Sequence, residues 1–359
     1  MAELRRLLRS PLYWLLIFAP VTAGLQATGA SPLAVLIGAS LAIIPLAGLI
    51  GEATETLAAH TGPRIGGLLN ATLGNAAELI ITIVAIREGL LELVKASITG
   101  SIIGNLLFVL GVSMIWGGVR HGTQVFERRR AQTDSIQLLL AVTALAIPSL
   151  FVQSGQGING VSQVEALSLG VATLMVAIYA LGLIFSLRGG EGPLTRPSAE
   201  PMVHHTGWSV RAALAALVIA TLGVVWLSEA LVQQVEPVVL SLGVSEFFLG
   251  VILVPIVGNI AEHLVAVRVA GRNQMSLSVE IAVGSSLQVA LFVVPALVFL
   301  SLALAHPLTL VFNGFELIAL IGAVVIVNQV ASDGESNWLE GAELLALYLI
   351  LAMAFFLLP

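Results

Sequence analysis

The chain contains no cysteine. Disulfides, thiolate nucleophiles and thiolate metal sites are therefore excluded. Charge is scarce as well, with only 10 % of the 359 residues being Asp, Glu, Lys or Arg. A water-soluble fold covers its surface with roughly 25 % charged residues, so most of this surface must face lipid. No polar stretch is long enough to form a soluble domain. What is present instead is apolar: 58 % of the residues are hydrophobic and the mean hydropathy is +1.02. At about 20 residues per membrane-crossing helix, the apolar runs leave room for ten or eleven crossings. The 35 glycines are dispersed, which suits close helix packing in a bilayer. The net charge of −6 says little about partners and gives no reason to expect nucleic acid.

Apolar runs broken by Gly, Pro and charge predict eleven helices. They lie at roughly 11–28, 33–59, 66–86, 95–118, 135–152, 164–187, 208–233, 244–269, 276–302, 308–330 and 338–358. The basic residues orient them. The N-terminus and every second connection hold Arg5, Arg6, Arg9, Arg64, Arg120, Arg128, Arg129, Arg130, Arg188, Arg196, Arg211, Arg268 and Arg272, thirteen of the fifteen. The alternate connections hold only Arg87 and Lys95. The positive-inside rule then places the N-terminus in the cytoplasm and the C-terminus outside. The opening MAELRRLLRSPLYWLLIFAP also has the look of a signal peptide. It is expected to stay as a leading span, and its removal would leave ten spans in the same orientation.

The chain repeats itself. Gly74-Asn75-Ala76-Ala77-Glu78 aligns with Gly258-Asn259-Ile260-Ala261-Glu262, 184 residues later. At the same offset Gly100-Ser101 matches Gly284-Ser285, and Leu107-Phe108-Val109 matches Leu291-Phe292-Val293. Glu52 corresponds to Glu229 at a slightly shorter offset. The expected organisation is a leading span in 1–30, a five-span repeat in 31–187, a Pro-rich cytoplasmic linker in 188–207 and a second five-span repeat in 208–359. Five is odd, so the halves enter the membrane from opposite sides. The predicted fold is thus an all-α integral membrane protein with inverted repeats, an architecture of secondary transporters whose site lies where the halves meet. The basic stretch 120–130 is expected to be a second cytoplasmic connection.

Glu78 and Glu262 fall in the middle of spans 3 and 8. A charge there costs at least about 2.5–3.5 kcal/mol on insertion scales. No Lys or Arg falls near the middle of any span to neutralise one. A protonated Glu bonded to a carbonyl explains one such residue less awkwardly than two at equivalent repeat positions. Each follows a Gly-Asn step, which weakens a helix, and Pro255 weakens span 8 further. Interrupted helices at Gly74-Asn75 and Gly258-Asn259 would free carbonyls inside a cavity. Carboxylates and carbonyls are hard oxygen ligands suited to Ca2+ rather than zinc or copper.

Asn70, Thr72, Ser101 and Asn105 in one half, and Ser285, Ser286 and Gln288 in the other, either complete that oxygen shell or bond helix to helix. Gly67, Ala71 and Gly74 share a face with Glu78, and Gly100 and Gly104 form a GxxxG step; both patterns read as packing surfaces. Glu52, Glu55 and Glu229, near the ends of spans 2 and 7, are candidates for gating or ion entry, or else reach an interface. Glu280 and Glu316 are lesser candidates. His263 follows Glu262 without a counterpart in the first repeat; it is either structural or tunes the adjacent carboxylate. His204 and His205 read as solvated linker residues.

At these residues the chain resembles the calcium/cation antiporter superfamily, and within it the Ca2+/H+ exchanger (CAX) family. The resemblance rests on PLAGLIGEATETLA, GGLLNATLGNAAELI, SEFFLGVILVPIVGNIAEH and VGSSLQVALFVVP, and runs from about residue 33 to the end. It implies Ca2+ export in exchange for protons, ligand roles for Glu78 and Glu262, and spans 2 and 7 as moving gates. Sodium/calcium exchangers carry additional acidic residues in the spans where this chain has Asn105 and Gln288. Many eukaryotic relatives carry a strongly acidic segment between the halves; here that segment holds only Glu191 and Glu200. A prokaryotic plasma membrane is the expected location.

The expected mechanism is mutual exclusion. Two carboxylates in a low-dielectric site repel each other, and either protons or one divalent cation neutralise them. If the cavity opens alternately and moves mainly when neutralised, the outcome is antiport. No cofactor is needed beyond the transported Ca2+ and H+. A sodium- or potassium-coupled exchanger on the same fold is the alternative. The absence of HExxH and of cysteine argues against an intramembrane enzyme. A homo-oligomer remains open.

Overall fold

In a computed structural model, residues 11–155, 161–187 and 208–357 are described. The linker with His204 and His205, the first ten residues, and the side-chain surroundings of Arg64, Gly67 and Ala71 lie outside the described residues. The described chain is almost wholly helical. In order come α1 (Pro11–Ala27), α2 (Pro32–Leu73), α3 (Ala76–Arg87), α4 (Leu91–His121), α5 (Arg128–Gln153), α6 (Val161–Leu187), α7 (Val210–Val232), the short α8 (Val235–Leu242), α9 (Glu246–Ala270), α10 (Met275–Ala303), α11 (Gly314–Val330) and α12 (Trp338–Leu357). Eight stretches are long and apolar enough to cross a membrane, and α1 and α11 are shorter apolar helices.

The eleventh crossing is hidden in α2. Helical hydrogen bonding runs unbroken from Pro32 to Leu73, yet a Cβ placed on Gly66 would lie 2.7 Å from the carbonyl oxygen of Ala58. Eight residues along a straight helix span about 12 Å. The chain therefore doubles back between Ala58 and Gly66 without leaving helical geometry. Expected spans 2 and 3 are separate crossings joined by a tight helical bend, and eleven crossings result. The expected span 10 begins later than its apolar run, because Asn313 caps α11.

Large apolar side chains such as Leu174, Leu181, Ile219, Leu222 and Ile318 are exposed, as lipid-facing residues must be. The interior combines large aliphatic side chains such as Ile43, Ile81 and Leu107 with small residues where helices approach closely. Ala39, Ala42 and Ala53 of α2 and Ala213 and Ala220 of α7 are buried, and α7 is the helix that packs most extensively against α2. Gly111 of α4 and Gly341 of α12 touch backbone to backbone: a Cβ on either would meet the other's carbonyl oxygen, at 2.9 and 2.6 Å. Close approach of this kind replaces the missing hydrophobic drive between helices in lipid. Within the expected connection at 120–130, residues 122–127 lie outside helix, while 120–121 and 128–130 are the ends of α4 and α5. The Gln124–Val125 strand pairs antiparallel with Glu335–Ser336, tying the α4–α5 turn to the α11–α12 turn.

The repeat is visible in backbone irregularity. Segments of wide, π-type turns occupy Gly104–Val109 of α4 and Val289–Val293 of α10, positions that coincide at the repeat offset. A third lies at Leu249–Leu253 of α9. Such bulges cluster at functional places in helices.

Candidate functional site

Two expected helix breaks behave differently. The first exists: α2 ends at Leu73, Gly74 and Asn75 stand outside regular helix, and α3 starts at Ala76. The second does not. Val254–Ala270 continues through Gly258 and Asn259, and the irregularity sits earlier, in the π-type turns that precede Pro255. Pro255 lies at the start of regular helix, where its missing N–H costs least.

The break places Glu78 in the first turn of α3, where the free N–H groups and the positive end of the helix dipole favour an anion. Glu78 is 1 % exposed. Ser101 Oγ, one span along, donates to its Oε1. Asn259 Nδ2, from the other half, donates to its Oε2 at 3.5 Å and also reaches Ser101 Oγ at 3.5 Å. Glu262, on the unbroken α9, is half-buried. It lies within electrostatic range of Glu78 and of Glu55, with Ser285 beside it. Among the described residues no Lys or Arg forms an ion pair with Glu78 or Glu262.

The glycines of the two Gly-Asn steps make this meeting possible. A Cβ on Gly258 would stand 3.3 Å from Cβ of Glu78, and one on Gly74 would stand 3.6 Å from Oε1 of Glu262. The Gly-Asn step of each half is thus packed against the glutamate of the other. The reciprocity stops at the amides. Asn259 turns to Glu78, whereas Asn75 Nδ2 donates to Gln288 Oε1 at 3.1 Å. Both carboxamide oxygens, Asn75 Oδ1 and Asn259 Oδ1, are buried without a hydrogen-bond partner. Buried acceptors are rarely left so, and two hard oxygens beside two carboxylates fit an oxygen-seeking cation.

The other candidates separate cleanly. His263 is buried and pairs through Nε2 with Asn105 Oδ1 at 3.0 Å, turning to that amide rather than to Glu262. Ser286 bonds carbonyls of its own and a neighbouring helix, a packing role. Asn70 is exposed, and its carbonyl accepts from Gly74 N–H at 2.9 Å. Thr72 Oγ1 donates to the carbonyl of Leu69. Gly100 is a packing residue, with Val251 O at 2.1 Å from its would-be Cβ, while Gly104 faces open space.

Glu316 is fully buried but structural. It closes a capping box with Asn313 at the start of α11 and accepts from Thr99 Oγ1 at 3.2 Å. Glu280 pairs with Arg130 of α5, away from the central pair. Glu52 accepts from Tyr13 Oη of the leading span at 2.6 Å. Glu55 is exposed. Glu229 meets Arg87 at 2.9 Å, a pairing that periodicity and repeat did not announce. No group of three or more His, Asp or Glu among the described residues is arranged to cage a metal.

Residues 31–188 and 212–357 match the family described as sodium/calcium exchanger protein. A Ca2+/H+ antiporter of Aphanothece halophytica is 42 % identical over 365 residues, covering 97 % of this chain and 96 % of that protein. The Ca2+/H+ antiporter ChaA of Bacillus subtilis is 45 % identical over 320 residues, covering 88 % and 90 %. The solved structure of native YfkE superimposes with a TM-score of 0.84 at 38 % identity, covering 97 % of this chain and all of that one.

Proposed function

This chain belongs to the sodium/calcium exchanger protein family, among its Ca2+/H+ exchangers, and we propose that Glu78 and Glu262 form the one site its two substrates share. The protein is an integral membrane secondary transporter, not an enzyme, and exchanges Ca2+ for H+ without a cofactor. The observation that carries the site is the convergence, across the two halves, of two carboxylates and two unpartnered amide oxygens with no basic residue paired to the carboxylates.

Exclusion follows from charge. With both carboxylates ionised the site attracts one Ca2+; with both protonated it is neutral and empty. The occupied and protonated forms are the ones that can pass through the low-dielectric closed state, since a bare double charge there is costly. Coupling needs no further device. Asn75 Oδ1, Asn259 Oδ1 and Ser285 supply neutral oxygens, and water fills the rest of a shell of six to eight. Asn105 and His263 hold α4 against α9, and Gln288 holds Asn75 in place.

Spans 2 and 7 are the gates. Exposed Glu55, within electrostatic range of Glu262, is the entry carboxylate of its side, with Glu52 three residues before it. The basic residues put that side in the cytoplasm of a prokaryotic cell, with the N-terminus inside, so an inward proton gradient drives Ca2+ out. The gates move around a steadier core within the two five-span halves 31–187 and 208–359, which follow the leading span in 1–30 and are joined by the linker 188–207. Orientation is read by thiol labelling, because the native chain has no cysteine. Exposed Ser154→Cys should label from outside, and Ser198→Cys, outside the described residues, only after permeabilisation; the reverse pattern overturns the orientation.

The exchange itself is tested in sodium- and potassium-free proteoliposomes loaded at one pH and diluted into another. Labelled Ca2+ should enter when the pH gradient is applied and stop when an ionophore collapses it. Uptake that needs sodium or potassium would establish the alternative coupling.

A further inference from the structure

We infer that Arg87 is a positioning residue for exchange: its ion pair with Glu229 latches the gate at the side opposite Glu55, and must open for the ion to leave there. The inference rests on the site and gates proposed above. Arg87 is the last residue of α3, the helix whose first turn carries Glu78. Nine residues separate them, about 13 Å along the axis. Glu229 is on α7, the helix that packs most extensively against α2. Arg87 Nη2 lies 2.9 Å from Glu229 Oε1 and 3.3 Å from Glu88 Oε1. One guanidinium thus joins the ion-holding helix to the gate helix, at the end away from the site.

The repeat makes the contact informative. Glu229 and Glu52 occupy corresponding positions, and inverted halves put them at opposite ends. Glu52 is held by a neutral phenol, Tyr13, on the leading span that has no counterpart in the second half. Glu229 is held by a cation. Near Glu52, exposed Glu55 lies within electrostatic range of half-buried Glu262. In the second half, by contrast, the position that corresponds to Glu55 holds Val232, buried to 1 % exposure. The latched end is the closed end. The side chains of Arg87 and Glu229 are 51 % and 35 % exposed, so water screens the pair and keeps it weak. A weak latch suits a gate that opens in every cycle.

The test uses Ser228→Cys as a reporter in the full-length protein, with an impermeant maleimide applied from the Arg87 side. The reporter should react slowly in the parent and about two- to fivefold faster after Arg87→Gln or Glu229→Gln, the range a half-exposed ion pair supports. The charge swap Arg87→Glu with Glu229→Arg should restore slow labelling, which a merely structural residue would not do. Separately, Arg87→Cys with Glu229→Cys should lose exchange when joined by a short bis-maleimide, and keep it with a monofunctional maleimide. Unchanged labelling in both single variants, or undiminished exchange in the cross-linked protein, overturns the latch. Labelling is read without Ca2+ or a pH gradient, so a failed latch is distinguishable from a failed exchange assay on the parent protein.

Discussion

Asn259 and Glu78 sit 181 residues apart in sequence and meet across the boundary of the two halves, amide nitrogen to carboxylate oxygen at 3.5 Å. The repeat-related amide, Asn75, goes to Gln288 instead. One half therefore finishes the site of the other, and the two-fold relation is broken where the ion would bind. Asn259→Ala should weaken apparent Ca2+ affinity about tenfold, since it removes both a donor to a buried carboxylate and a free acceptor. Asn75→Ala removes only the acceptor and loosens Gln288, so it should weaken affinity less. Equilibrium Ca2+ binding to purified protein checks the order; equal losses would mean the asymmetry has no energetic content.

The central pair Glu78 and Glu262 and the buried Glu316 have different work, and substitution should separate them. Glu78→Gln and Glu262→Gln should each abolish Ca2+/H+ exchange in proteoliposomes while leaving the protein folded. Either change removes a charge that the membrane interior disfavours, so thermal stability should hold or rise. Glu316→Ala should do the opposite. It opens the capping box with Asn313 and the contact to Thr99, costing about 1–2 kcal/mol of stability, with exchange retained at temperatures where the protein stays folded. Retained exchange in Glu78→Gln would remove it from the site.

Much of this was legible beforehand because a lipid environment leaves few ways to place charge. Apolar runs and the Arg/Lys bias mark crossings. Glu78 and Glu262 stand out because nothing in a bilayer tolerates them idly. Other features depend on contacts that periodicity does not encode. Gly258-Asn259 looks as breakable as Gly74-Asn75, yet α9 stays intact, its strain taken up by π-type turns before Pro255. The reversal between Ala58 and Gly66 lacks any turn outside helical geometry. His263 looks like a neighbour of Glu262, but successive helix residues point about 100° apart, and its ring faces Asn105. Arg87 reads as a loop cation until α7 is laid beside it.

The glycine step in α4 offers a stability contrast. Gly100 and Gly104 look alike in sequence. Gly100→Ala would put a Cβ 2.1 Å from Val251 O and 2.7 Å from Pro255 Cγ, forcing α4 and α9 apart at a cost of about 1–3 kcal/mol. Gly104→Ala has nothing within 4 Å of the new Cβ and should be neutral or slightly stabilising. Thermal unfolding in detergent, followed by tryptophan fluorescence, should show the melting temperature fall for the first variant alone. Equal shifts would mean that the α4–α9 crossing is looser than its geometry implies.

Protons and Ca2+ should compete at equilibrium, without any gradient. Among the described residues no Lys or Arg pairs with Glu78 or Glu262, so their negative charge is answered by protons or by the ion itself. Lowering the pH must then weaken apparent Ca2+ affinity. Well below the joint titration of the pair, the loss should approach tenfold per pH unit for each proton displaced. A limiting slope near two means both carboxylates release protons to the ion, and a slope near one means one stays ionised throughout. Where the parent slope is near two, Glu262→Gln should reduce it to near one, because one exchangeable proton is gone. His263→Ala should leave the slope and its midpoint unchanged, since the imidazole is engaged with Asn105 rather than with the pair; a shifted midpoint would give it a tuning role. The measurement is Ca2+ binding to detergent-solubilised protein across a pH series at constant ionic strength. Affinity independent of pH would defeat exclusion at Glu78 and Glu262, and proton coupling would then have to reside elsewhere, with Glu52 and Glu55 the first carboxylates to replace.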